Sequence, residues 1–110
     1  MQLPVQITHR GMQSSPALED AVREKAAKLE EFHPRITSCR VVIEESARHK
    51  TKGKLFEVHI DLKAPGGEIA VTREHDTDVT VALRDAFDAA RRKLEDFARV
   101  QRGDVKHHEK

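Results

Sequence analysis

Hydrophobic positions recur along this chain with two different periods, and turn residues stand between them. Leu3, Val5 and Ile7 alternate with polar neighbours, the period of a strand with one buried face. Ser14-Ser15-Pro16 then supplies a helix start, with a serine to cap free N–H groups and a proline for the first turn. Glu19 and Asp20 follow near that turn, where the helix dipole favours negative charge. Leu18, Val22, Ala26 and Leu29 recur at spacings of four and three, the stripe of a helix packed along one side. Phe32 extends that stripe and Pro34 ends it.

A second strand is expected over 36–44, with Cys39, Val41 and Ile43 on one face. A polar, basic stretch links it to a third, where Phe56, Val58, Ile60 and Leu62 alternate with Glu57, His59, Asp61 and Lys63. Ala64-Pro65-Gly66-Gly67 reads as a tight hairpin turn, because glycine accepts the positive φ such turns need. Ile69 and Val71 mark a fourth strand. A loop through His75, Asp76 and Asp78 leads into a long helix over 78–100, whose stripe is Val79, Leu83, Phe87, Ala90, Leu94 and Phe97. The pattern predicts an α+β fold of order β-α-β-β-β-α. Its simplest burial solution is one two-layer domain over residues 1–100, a four-stranded sheet with both helices on one face. Residues 101–110 read as a polar, flexible C-terminal tail.

The 110 residues fit one core, and no apolar run approaches the roughly 20 residues a membrane span needs. The N-terminal Met1-Gln2-Leu3-Pro4 lacks the charged start and apolar centre of a signal peptide, and Cys39 stands alone, so a cytoplasmic protein is expected. Twenty basic residues face nineteen acidic ones. That balance excludes a bulk polycation, so any nucleic-acid affinity must come from how charges are sorted over the surface.

At roughly 100° per residue, Lys25 and Lys28 stand together on one flank of the first helix, with Glu19 and Glu30 on the opposite flank. On the second helix Arg84 and Arg91 fall within roughly 20° of one another, together with Arg102 if the helix reaches it. Arg92 and Arg99 lie outward, and Lys93 is on the other flank. Two helices with basic borders can form a groove that matches a phosphate backbone. Asp85, Asp88, Glu95 and Asp96 are interleaved with the arginines, so a solvated face of weak ion pairs is the competing reading. Arg48-His49-Lys50-Thr51-Lys52-Gly53-Lys54 is a second basic segment, either a phosphate contact or an exposed loop.

Catalytic and metal chemistry find little to stand on. The seven histidines form no zinc-like spacing with the one cysteine, and His107-His108 sits in the tail, so no metal site and no cofactor are expected. His75-Asp76 is half of an acid–base pair with no nucleophile tied to it, and Cys39 falls on a buried alternate, an inert core thiol. No catalytic residue and no small-molecule substrate are expected. All four phenylalanines fall on or beside core stripes, which argues against base stacking on a sheet platform.

The run Val22-Arg23-Glu24-Lys25-Ala26-Ala27-Lys28-Leu29-Glu30 resembles the first-helix signature of the ribosome hibernation promoting factor and ribosome-associated inhibitor family, also called sigma-54 modulation proteins. Pro65-Gly66-Gly67 in the hairpin, the stretch Val81-Ala82-Leu83-Arg84-Asp85-Ala86-Phe87-Asp88 and the order of elements resemble it too. The resemblance spans about residues 3–100. It implies a non-enzymatic factor that binds the small ribosomal subunit and its ribosomal RNA at the decoding channel, blocking messenger and transfer RNA under stress or in stationary phase. Lys25 and Lys28 match basic positions of the family's first helix, Arg92 one of the second, and Arg10 one in the turn after the first strand. Arg84, Arg91 and Lys93 join them from the charge sorting alone. Glu95 and Asp96 interrupt the denser basic run that members often carry late in the second helix. A short form is expected, without the extra domain by which long forms pair ribosomes.

Two other functions fit the same elements. A general double-stranded-RNA binder would bind free duplex as well as it binds the subunit. A protein-interaction module, for instance a regulator of a transcription factor, would use the polar sheet face and bind without salt sensitivity.

Overall fold

The alternation of Val5 and Ile7 with Gln6 and Thr8 becomes strand β1 (Val5–Arg10) in the computed structural model, which describes residues 3–47, 54–75 and 78–102. Helix α1 (Pro16–Phe32) starts where the cap predicts: Ser15 Oγ accepts the Leu18 N–H at 3.2 Å, and Pro16 holds the first position. It ends as His33 N–H donates to the Leu29 carbonyl, ahead of Pro34. Strands β2 (Ser38–Ala47), β3 (Lys54–Ala64) and β4 (Gly67–His75) follow, then helix α2 (Val79–Arg102). The order is β-α-β-β-β-α, and the fold is α+β.

The sheet runs β1-β2-β3-β4, with β1 parallel to β2 and the other pairs antiparallel. Register lines up the apolar alternates: Ile7, Val41, Ile60 and Val71 form one row across four strands, and Val5, Cys39, Leu62 and Ile69 another. Both helices bury their stripes against these rows. Val22, Ala26 and Leu29 come from α1, and Leu83, Ala86, Phe87, Ala90 and Leu94 from α2. Helix α2 lies over β3 and β4, and α1 over β1. Ile43, Ile60, Leu62 and Leu83 are fully enclosed, each worth about 1.5–3 kcal/mol of burial.

Boundaries differ from the periodic reading where backbone pairing outlasts side-chain alternation. Strand β4 continues through polar Thr72–His75 because these residues still pair with His59–Phe56 of β3. Strand β2 starts at Ser38, since the Ile36 N–H turns back to the His33 carbonyl. Helix α2 runs to Arg102, and Gln101 Nε2 donates to the Pro65 carbonyl at 3.2 Å, tying its last turn to the β3–β4 hairpin. In that hairpin Ala64 pairs with Gly67, leaving Pro65 and Gly66 as the loop. Gly66 has φ 98°, a conformation that calls for glycine, whereas a Cβ there would meet only the movable amide end of Gln101. The basic segment 48–53, Asp76 and the tail from Gly103 lie outside the described residues.

Two side chains depart from expectation. Phe32, assigned to the α1 core stripe, is 64% exposed. It is the last helical residue and stands roughly 75° from the centre of the stripe, beside an open pocket of about 310 Å³ rather than a strand. Val42, on the polar face of β2, is buried, in register between Thr8 and His59.

Candidate nucleic-acid interface

Between the helices runs a shallow groove whose floor is apolar and whose walls are mostly cationic. Leu29 and Phe87 are buried at its base. Lys25 and Lys28 rise from the α1 side, and Asp88 and Arg91 from α2. The i, i+3 spacing puts both lysines on one flank of α1, and the stripe that packs α1 down turns that flank toward α2. Lys25 is half-buried and Lys28 exposed, so their stems lie on protein while the ammonium groups can stay in water. Among the described residues no ion pair engages Lys25, Lys28 or Arg92. Arg91 Nε lies 3.6 Å from Glu95 Oε2, an exposed i, i+4 pair of small worth.

The remaining candidates divide. Arg84 stands on the same flank of α2 two turns before Arg91, where it meets Asp85 Oδ1 at 3.4 Å, and Arg92 is exposed on the outward face of α2, outside the groove lining. Lys93 is on the far side of α2: its Nζ donates to the Ala70 carbonyl of β4 at 3.0 Å. Arg10 ends β1 in register with Glu44 on the sheet face away from the helices. The fold thus brings Lys25, Lys28 and Arg91 together, keeps Arg84 on the same flank of α2, leaves Arg92 on the outward face, and places Arg10 and Lys93 elsewhere. Periodicity missed Phe32, which lines the groove beside the lysines. Its place as the last residue before a helix-ending turn was the available signal.

The open sheet face is mixed in charge, with Arg10, Arg40 and Lys63 set among carboxylates. Glu44, Glu57 and Glu74 stand in one cross-strand row. Partial burial, a hydrogen bond with Glu74 and the charges of Glu74 and Glu44 raise the Glu57 carboxyl above its usual 4.5, with His59 pulling the other way. His59 is held by Thr72 Oγ1 at 2.7 Å and Asp61 Oδ1 at 3.0 Å. Enclosure pushes the Cys39 thiol up to about 12, a core group rather than a nucleophile. His75 Nδ1 accepts the Asp78 N–H and Asp78 Oδ1 the Thr80 N–H, so both serve the start of α2. Among the described residues no cluster of His, Cys, Asp and Glu could hold a metal ion, and no helix is long and apolar enough to cross a membrane.

Residues 5–102 match the family model described as sigma 54 modulation protein / S30EA ribosomal protein. A solved ribosomal subunit interface protein from Coxiella burnetii is similar in fold, with TM-score 0.74 and 20% identity over 87% of this chain and 98% of that one. The N-terminal domain of Protein Y from Thermus thermophilus is similar too, with TM-score 0.65 and 24% identity over 88% of this chain and 99% of that one. No curated protein matches the chain.

Proposed function

The chain belongs to the sigma 54 modulation protein / S30EA ribosomal protein family, and from that premise we propose that it binds the small ribosomal subunit through the groove between its helices. The observation that carries this reading is the sorting of charge. Lys25, Lys28 and Arg91 converge on one groove, while Glu44, Glu57 and Glu74 occupy a row on the opposite side of the sheet. Arg84 and Arg92 extend the cationic border along α2.

The mechanism is occlusion. Docked on ribosomal RNA at the decoding channel, the domain fills space that messenger and transfer RNA need, and it blocks translation under stress or in stationary phase. Phosphate contacts supply most of the affinity, and no bond is made or broken. Binding takes place in the cytoplasm, where ribosomes are. Arg10 and Lys93 are peripheral in this reading, because neither shares the groove. Asp88 and Glu95 temper the cationic border and leave the arginines to contribute through their bidentate geometry.

Co-sedimentation with purified subunits at several salt concentrations tests the proposal. The five helix cations predict migration with the small subunit and a log–log salt slope of about −4. Equal affinity for a free RNA duplex would shift the reading to a general duplex binder. Absence from the subunit fraction even at low salt would overturn it.

A further inference from the structure

Phe32 is the largest apolar side chain that the fold leaves exposed, and it is exposed beside cations. It lines the lysine groove on one side and, on the other, the pocket of about 310 Å³ between the ends of α1 and α2. That pocket is walled by Pro34, Leu94 and Phe97, and its volume lies at the lower end of the range for small-ligand sites. Its lining includes His33, whose Nε2 is buried with no hydrogen-bond partner among the described residues. An aromatic ring and an apolar slot therefore sit next to three cations suited to phosphate.

This combination matches one nucleotide whose base is out of its stack. The phosphates lie along Lys25, Lys28 and Arg91, and the base leaves the groove over Phe32. Stacking on an aromatic ring suits any base, and it adds affinity that salt does not screen. We propose that Phe32 is a stacking platform for one unpaired base of the ribosomal RNA, seated at the mouth of the pocket between the helix ends. The proposal rests on the ribosome-binding reading and adds to it a contact that is not electrostatic.

Two substitutions separate the ideas. Phe32→Leu keeps an apolar side chain but removes the ring, and Phe32→Trp enlarges the ring; the exposure of Phe32 means that both should fold, which a thermal melt checks. Affinity for small subunits, measured across salt concentrations, should fall on the order of five- to a hundredfold in Phe32→Leu, with the salt slope unchanged. Phe32→Trp should bind at least as well as the wild type. Chemical probing of the subunit should show one unpaired base protected by wild type and Phe32→Trp but not by Phe32→Leu. If Phe32→Leu binds as tightly as the wild type, the stacking proposal is wrong while ribosome binding stands. If the wild type itself does not bind, the fault lies with the reading beneath it.

Discussion

Neutralising the two groove lysines, Lys25→Gln with Lys28→Gln, separates the electrostatic part of binding from the fold. Neither lysine joins an ion pair among the described residues, so glutamine removes charge while leaving the framework in place. Each phosphate contact contributes about 0.7–0.9 to the log–log salt slope, so losing two should reduce it by about 1.6. Between about 50 and 200 mM salt, roughly 0.6 of a log unit, the variant should therefore lose about tenfold less affinity than the wild type. The assay is co-sedimentation with small subunits at four or more salt concentrations. Thermal melts should show stability changed by no more than about 0.5 kcal/mol. Lys93→Gln is the internal control, because the Lys93 ammonium donates to Ala70 on the other side of α2, and it should leave the slope unchanged. A double variant with the wild-type slope would refute phosphate contact by these lysines. Equal slope changes in both variants would refute the distinction between the two flanks of α2.

The remaining predictions concern the framework. Leu83→Ala empties a fully enclosed site under the sheet and should cost about 2–5 kcal/mol, read by urea unfolding. The Cys39 thiol, pushed up to about 12, should ignore thiol reagents at neutral pH until the protein unfolds. Because the unfolded thiol ionises first, near 9.0, native stability should fall as pH rises from that value toward 12, and Cys39→Ala should flatten the fall. Native Glu57 keeps its proton to higher pH than the unfolded chain does, so its contribution to stability is present below about 4.5 and lost as pH rises through the raised value. Glu57→Gln should therefore raise the melting temperature at neutral pH and shrink the gain on acidification, and a lower melting temperature at neutral pH would contradict the repulsion inferred along the Glu44–Glu57–Glu74 row.

Local signals carried far along this chain where the determining contact is itself local. The serine cap, the proline that follows it and the alternation Phe56–Leu62 each fix geometry within a few residues, and each element formed where they stand. The ends of strands were less legible. Thr72–His75 carry polar side chains and show no burial period, yet their backbone pairs because β3 lies alongside. The two cationic flanks followed from angular spacing within each helix. That they face each other across a groove depends on how α1 and α2 are laid on the sheet, which no spacing within either helix encodes. Lys93 shows the same limit, since its flank was legible but not the Ala70 carbonyl waiting there. Phe32 failed for a related reason: a helical stripe says which direction a side chain takes, not whether the sheet extends beneath it.

A net charge of +1 gives a protein almost no long-range pull toward RNA, so orientation must do what total charge does not. The cationic groove and the Glu44–Glu57–Glu74 row lie on opposite sides of the two-layer domain, a local sorting of charge across its thickness in which Arg10 stands beside Glu44. Layers of this kind are about 10 Å apart, and the Debye length at 0.1 M salt is also about 10 Å. If RNA docks against the helices as proposed, the carboxylate row is screened from the phosphates, whereas the groove cations touch them. Approach with the sheet face forward would bring these carboxylates nearer the phosphates, with Arg10 offsetting part of the repulsion. The acidic row costs little in the bound state and penalises the wrong orientation, so a nearly neutral domain can bind a polyanion one way up. This makes the balance of charges compatible with the proposed docking.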